Sequence, residues 1–260
     1  MSFVPDSPLA AAVVASPNRG VRAAGGLDML ILHYTGMPTA KAALERLCDP
    51  AAEVSAHYFV FEDGHIVQMV PEADRAWHAG AGAWAGARDI NSRSIGIEIA
   101  HPGHAGGLPP YPEAQVAAVT ALARDIVVRR AIPAPRVLAH SDVAPARKED
   151  PGEVFPWERL ARAGVGHWVP PAPVRDGRFL ATGDTGEPVE ALQAMLALYG
   201  YDQPVTGEFD AAMYAVVTAF QRHFRPARID GVADSSTITT LRDLIAAKPA
   251  RDTPARDASA

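Results

Sequence analysis

One cysteine in 260 residues, Cys48, excludes an internal disulfide and a thiolate-rich zinc cluster. A basic surplus is also missing, with 24 Lys and Arg against 30 Asp and Glu and a formal net charge of −6. Nucleic-acid binding needs a basic face, so this balance argues against it. Apolar runs fall short of the ~20 residues of a membrane helix, so no transmembrane segment is expected. The opening MSFVPDSPLAAAVVASP has no basic residue ahead of its short apolar run, carries Asp6 and breaks at Pro5 and Pro8. Neither a leader nor a lipid-attachment cysteine is readable there. A cytoplasmic location is the expectation, with the periplasm or cell envelope as the alternative.

What is present is ordinary for a globular chain: 48% hydrophobic and 21% charged residues, long enough for one large domain and a small one. Strand-like and helix-like segments alternate over the first two thirds. LDMLILHYTG (27–36) reads as a strand buried on both faces. HYFVFEDGHIVQMV (57–70) reads as a hairpin around Asp63-Gly64. In SIGIEIA (94–100), Ile95, Ile97 and Ile99 alternate with Gly96, Glu98 and Ala100, which puts one carboxylate on a face of small residues. PEAQVAAVTALARDIVVRRAI (112–132) has helical periodicity, and RVLAH (136–140) is a further short strand. Ala40, Leu44, Leu47 and Cys48 share one helical face, which makes Cys48 an apolar filler.

Two strands thus end in histidines, His33 and His140. The loop AHSDVAPARKEDPG (139–152), shaped by Pro145 and Pro151, can carry Asp150 to the same point. Two histidines and a carboxylate with an open fourth position form a catalytic zinc ligand set. Nine histidines offer many pairs, however, and strand-end polar residues meet the same pattern.

LHYTG, VSAHYFVFEDGHIVQMV, AWHAG, NSRSIGIEI and AHSDVAPARKEDPG, in this order, resemble the zinc-dependent N-acetylmuramoyl-L-alanine amidases of the AmpD and AmiD kind. FPWERLARAGVGHW is most similar to the AmiD branch. The resemblance implies an α/β fold, a mixed central sheet flanked by helices. It also implies hydrolysis of the amide between the lactyl group of N-acetylmuramic (or 1,6-anhydro-N-acetylmuramic) acid and L-alanine of the peptide stem. Carried over residue by residue, His33, His140 and Asp150 become the ligands of Zn2+, which would acidify water and polarise the lactyl carbonyl. Glu98 becomes the catalytic acid/base. Lys148 becomes the cation that faces the developing oxyanion. The alternative is a non-catalytic peptidoglycan-fragment recognition protein, which would be expected to have lost a ligand or the carboxylate; all five residues are present.

Tyr34, Tyr58, Trp77, His78, Arg88 and Asn91 are candidate substrate contacts, and the partner is peptidoglycan or a muropeptide. His57 is expected to be a structural hydrogen-bonder, and His101 and His104 to be surface residues. After VPPAPVRDG, the segments EPVEALQAMLALYG, DAAMYAVVTAFQRHF and SSTITTLRDLI read as helices, the first two with apolar stripes, and resemble the small helical peptidoglycan-binding domain, with an echo between Leu192-Gln193 and Phe220-Gln221. The expected organisation is an N-terminal extension (1–18), a zinc amidase domain (19–168), a proline-rich linker (169–183), a three-helix domain (184–246) and a disordered tail (247–260).

Overall fold

The computed structural model describes residues 3–23, 26–175 and 177–249. Its strands are β1 (Ala12–Val13), β2 (Arg19–Val21), β3 (Met29–Tyr34), β4 (Tyr58–Val60), β5 (Ile66–Gln68), β6 (Asp74–Ala76), β7 (Ser94–Ile99) and β8 (Val137–Ala139). Its helices are α1 (Ala40–Cys48), α2 (Ile90–Arg93), α3 (Glu113–Arg129), α4 (His140–Val143), α5 (Trp157–Arg162), α6 (Glu187–Tyr199), α7 (Ala211–Phe224) and α8 (Ser235–Ala247). Six strands form one sheet in the order β1-β5-β4-β7-β3-β8. The β4–β5 hairpin is antiparallel, whereas β3 runs parallel to both β7 and β8. No helix among the described residues is long and apolar enough to cross a membrane.

The period of two in these strands decides what each face does. Leu30 and Leu32 of β3 join Ile95, Ile97 and Ile99 of β7 against the stripe Val116, Val119, Leu122 and Ile126 of α3. The intervening residues face the other way. There Met29, Ile31 and Leu138 enter a second apolar cluster, while His33 and Glu98 come up side by side in register at the strands' carboxyl ends. The outer strands pack Phe59, Val67 and Met69 on Ala43 and Leu47 of α1, with Cys48 partly buried beside them.

That second cluster is continuous across the chain. Trp84 and Val143 of the sheet region pack with Leu192, Leu196 and Tyr199 of α6, Phe220 and Phe224 of α7, and Leu241 of α8. At Gly200, where φ is 148°, a Cβ would lie 2.6 Å from the Trp84 ring, so this packing against Trp84 requires glycine. Asp210 and Asp234 cap α7 and α8 by accepting from Met213 N and Thr237 N, each at 2.8 Å. The echo seen in sequence is structural. Gln193 Oε1 accepts from Thr206 N and Gly207 N, and Gln221 Oε1 accepts from Asp230 N and Gly231 N, so each glutamine closes an equivalent turn.

Three segments outside the expected domains make contacts that the sequence did not announce. The stretch read as an extension contributes β1, which pairs the backbone that β5 would otherwise leave open at the sheet edge, and Gln68 Nε2 donates to Asp6 at 2.6 Å. The proline-rich stretch lies along α8, with Ala172 N donating to Thr240 Oγ1 and Ser236 Oγ donating to Ala172 O. Within the segment read as a tail, α8 runs to Ala247 and Lys248 Nζ donates to the carbonyls of Leu198 and Tyr199. Positions 250–260 of that segment lie outside the described residues.

Candidate functional site

Parallel pairing of Leu32 with Ala139 sets the next residues, His33 and His140, beside each other where β3 and β8 end. Crevices at the carboxyl ends of parallel strands are the common ligand position in such sheets. The loop after α4 returns, and Ser141 N donates to the Asp150 carbonyl at 3.1 Å, which fixes Asp150 against the same turn. His33 Nδ1 and His140 Nδ1 are 2.9 Å apart, and each is 3.0 Å from Asp150 Oδ2. All three residues are buried.

The hydrogen bonds behind this triangle assign its protons. Ser94 Oγ donates to the Ile90 carbonyl at 2.6 Å, so it accepts from His78 Nε2–H at 3.1 Å. His78 Nδ1 is then an acceptor for His33 Nε2–H at 3.0 Å. On the other side His140 Nε2–H donates to the Ala79 carbonyl at 3.0 Å. Both inward-facing Nδ1 atoms are therefore bare, and with the carboxylate they bring three acceptors to one point. A single proton can bridge one pair of them, whereas a cation satisfies all three, so the donor set fits a metal ion. Burial and then His140 bring the His33 imidazole down to about 4 from 6.5. Burial and then His33 push His78 well below its ordinary value. Burial pushes Asp150 upward, but His140 and His33 outweigh it and hold the carboxyl below its usual range.

Glu98 stands beside His33 across the β3–β7 ladder. Its Oε2 is shielded from solvent and has no hydrogen-bond partner. Burial, then the charge of Asp150, raise this carboxyl well above the ordinary range, against the opposing effect of Lys148. One cleft is lined by Glu98, His140, Lys148, Asp150, Tyr34 and Trp77.

The remaining candidates divide. Tyr34 donates from its hydroxyl to His104 Nδ1 at 2.8 Å, and burial raises its phenol to about 12. Asn91 is buried, and its Oδ1 accepts from His78 N and Ala79 N, so it orients the segment behind the triangle. Tyr58 does not reach the cleft. Its ring lies in the cluster under α3 and its hydroxyl donates to the buried Glu72 at 2.6 Å, because residue 58 has the opposite strand parity to Phe59. Arg88 does not reach it either; it is exposed and pairs with Asp202.

His57 is structural as expected, accepting from Gly96 N and donating to the Asp74 carbonyl. His101 is not a surface residue, and His104 is only half-buried. His101 is buried on the Tyr111 ring and folds its own loop through Gly103 N and the Pro109 carbonyl, while His104 links Tyr34 to Glu153. The sequence gives no sign of the Ala79 carbonyl as a partner of His140. AWHAG and the serine of NSRS were the available signals for His78 and Ser94.

Comparison with known proteins agrees with this architecture. Residues 24–153 match the N-acetylmuramoyl-L-alanine amidase family, and residues 185–241 match a peptidoglycan binding domain family. N-acetylmuramoyl-L-alanine amidase AmiD of Escherichia coli is 39% identical over 225 residues, covering 81% of this chain and 79% of the relative. The 1,6-anhydro-N-acetylmuramyl-L-alanine amidase AmpD of Enterobacter cloacae is 39% identical over 107 residues, 41% of this chain and 55% of that protein. The structure of E. coli AmiD with anhydro-N-acetylmuramic acid-L-Ala-D-gamma-Glu-L-Lys superposes with a TM-score of 0.72 at 36% identity, covering 90% of this chain and 91% of that one. AmpDh3 of Pseudomonas aeruginosa with anhydromuramic pentapeptide gives 0.71 at 29% identity, covering 96% and 100%. The family match over half of the chain and the 39% identity over most of a relative's length lead to one statement: this chain belongs to the N-acetylmuramoyl-L-alanine amidase family.

Proposed function

We propose that this chain hydrolyses the amide between the lactyl group of N-acetylmuramic acid, in its ordinary or 1,6-anhydro form, and L-alanine of the stem, with zinc held by His33, His140 and Asp150. The observation that carries the reading is the convergence of two bare imidazole nitrogens and a carboxylate next to the unpartnered Glu98 Oε2. A zinc ion bound there would supply Lewis-acid polarisation and acidify water.

The protein's own groups do the rest. Glu98, with a carboxyl raised by burial, is suited to take a proton from the attacking water and return it to the departing alanine nitrogen. Lys148, on the cleft wall, supplies positive charge where the carbonyl oxygen becomes an oxyanion. Tyr34 and Trp77 form walls against which sugar or stem can lie. The anhydro ligands in the two solved relatives support soluble muropeptides as substrates and a role in cell-wall turnover and recycling. A cytoplasmic place of action is part of the same proposal. Fractionation of cells for untagged protein checks it, and recovery mainly in the periplasm would overturn the location while leaving the chemistry.

The test of the chemistry pairs defined muropeptides with mass spectrometry and zinc analysis. Glu98→Gln should retain zinc and lose at least ~10²-fold in turnover. Lys148→Met should lose turnover comparably with its metal in place. Asp150→Ala should lose the metal itself. Turnover near wild type in both Glu98→Gln and Lys148→Met, or full zinc in Asp150→Ala, refutes the assignment.

A further inference from the structure

The helix that begins with His140 carries a carboxylate that the sheet region alone does not satisfy. Asp142 has a fully buried side chain. Its Oδ2 accepts from Ala139 N at 2.8 Å, the amide just before His140. The other donors come from the C-terminal helical region: Tyr201 Oη–H reaches Oδ1 at 2.7 Å, and His223 Nδ1–H reaches Oδ2 at 2.6 Å. Both donors are themselves held. The Tyr201 ring meets Trp84 edge-on at 4.9 Å, and His223 on the last turn of α7 stacks on Trp157 at 3.7 Å. Burial and then Asp142 raise the Tyr201 phenol well above its ordinary value, so it stays a donor.

A carboxyl group removed from water must keep its hydrogen-bond partners or move toward water. If Asp142 moves, its bond to Ala139 N goes with it, and the backbone at the junction of β8 and α4 is released. His140 is the first residue past that junction. The turn is thus clamped on one side by the Ala79 carbonyl and the Asp150 backbone, and on the other by the helical region.

We propose that Tyr201 and His223 are positioning residues for His140, so that the helical C-terminal region, acting through Asp142, sets the orientation of a metal ligand in the amidase site. This rests on reading His33, His140 and Asp150 as the zinc site.

The test uses the full chain with Tyr201→Phe and His223→Phe, each of which removes a donor and keeps a ring. Leu241→Ala, in the same apolar cluster but without a bond to Asp142, is the control for lost stability alone. Zinc affinity is measured by chelator competition at a temperature where circular dichroism shows every variant folded, and ligand geometry is read from the visible spectrum of the Co2+ form. Each donor variant should weaken zinc by about 10-fold or more, as losses of outer partners do, and alter the Co2+ spectrum. Leu241→Ala should melt earlier with unchanged zinc affinity, and His223→Asn, which returns an N–H near the Nδ1 position, should recover affinity. Wild-type zinc affinity in both phenylalanine variants, or an equal loss in Leu241→Ala, overturns the proposal. If His223→Phe does not fold, Tyr201→Phe, which deletes a single oxygen, decides the matter. Absence of zinc binding in the wild-type chain would instead overturn the metal reading on which it rests.

Discussion

A methyl group at Gly96 would strike the hydrogen-bond relay behind His33. A Cβ at this residue lies 2.5 Å from Cγ of His78 and 2.6 Å from its Nδ1. Carbon contacts settle at ~3.5–4.0 Å, so the imidazole must withdraw by about 1 Å. The bond from His33 Nε2 to His78 Nδ1, now 3.0 Å, would open past hydrogen-bond range. Losing such an outer partner weakens a metal by ~10–100-fold. That range corresponds to about 1.4–2.8 kcal/mol. Overpacking adds its own ~1–3 kcal/mol of destabilisation to the metal-free fold. At this chain length each 1 kcal/mol lowers Tm by about 2–4 °C. Chelator competition isolates the first effect, and melts of the metal-free protein isolate the second. The gain in Tm on adding zinc should shrink in Gly96→Ala, because that gain follows the affinity. In Gly96→Ala/His78→Ala the two losses of zinc affinity should not add, since each removes the same bond. Wild-type zinc affinity in Gly96→Ala, or full additivity in the double variant, would refute the relay.

Further outcomes can be checked by ordinary means. Burial lowers His33 to about 4, with His140 reinforcing it, and lowers His57 to about 3, with Arg22 reinforcing it, both from 6.5. Groups depressed in the folded state give stability that is complete above the unfolded value and is lost as pH falls through the folded ones, because the unfolded chain then binds protons that the fold refuses. Urea midpoints of the metal-free protein should therefore decline as pH drops from about 6.5 toward 4, and a flat profile across that window would contradict it. Tyr58→Phe should cost about 1–2 kcal/mol through the bond to Glu72 and leave kcat and KM unchanged. Arg88→Ala should stay within about 0.5 kcal/mol of wild type with full turnover. A large fall in kcat for either variant would return that residue to the cleft.

The periodic segments were the legible part of the fold. A near-continuous apolar run produced β3, strict alternation in SIGIEI separated the isoleucines from Glu98, and three helix-like segments, two with apolar stripes, became α6, α7 and α8. Failures came where a side chain's surroundings depend on distant strands. Tyr58 looked like a cleft residue because its neighbours carry the motif, yet parity in β4 turned it toward α3. His101 and His104 looked solvent-facing in a Gly/Pro loop, yet their rings supply the acceptors and donors that fold it. The opening stretch carries a short apolar run broken by prolines, with no alternation to announce a strand, and β1 is defined by its pairing with β5.

Local pattern determined which residues are apolar on which face, where helices are capped, and that histidines stand at the ends of two strands. Those properties follow from backbone period and side-chain chemistry within a few residues. Tertiary structure alone decided that the two strands are neighbours, that His78, Ser94 and the Ala79 carbonyl fix the protons of the ligand set, and that Asp142 is held from α7 and from Tyr201 in the loop after α6. Hydrogen bonds between residues 59 or 81 positions apart leave no periodic trace in the chain, because their partners are matched in space after the sheet has set the register.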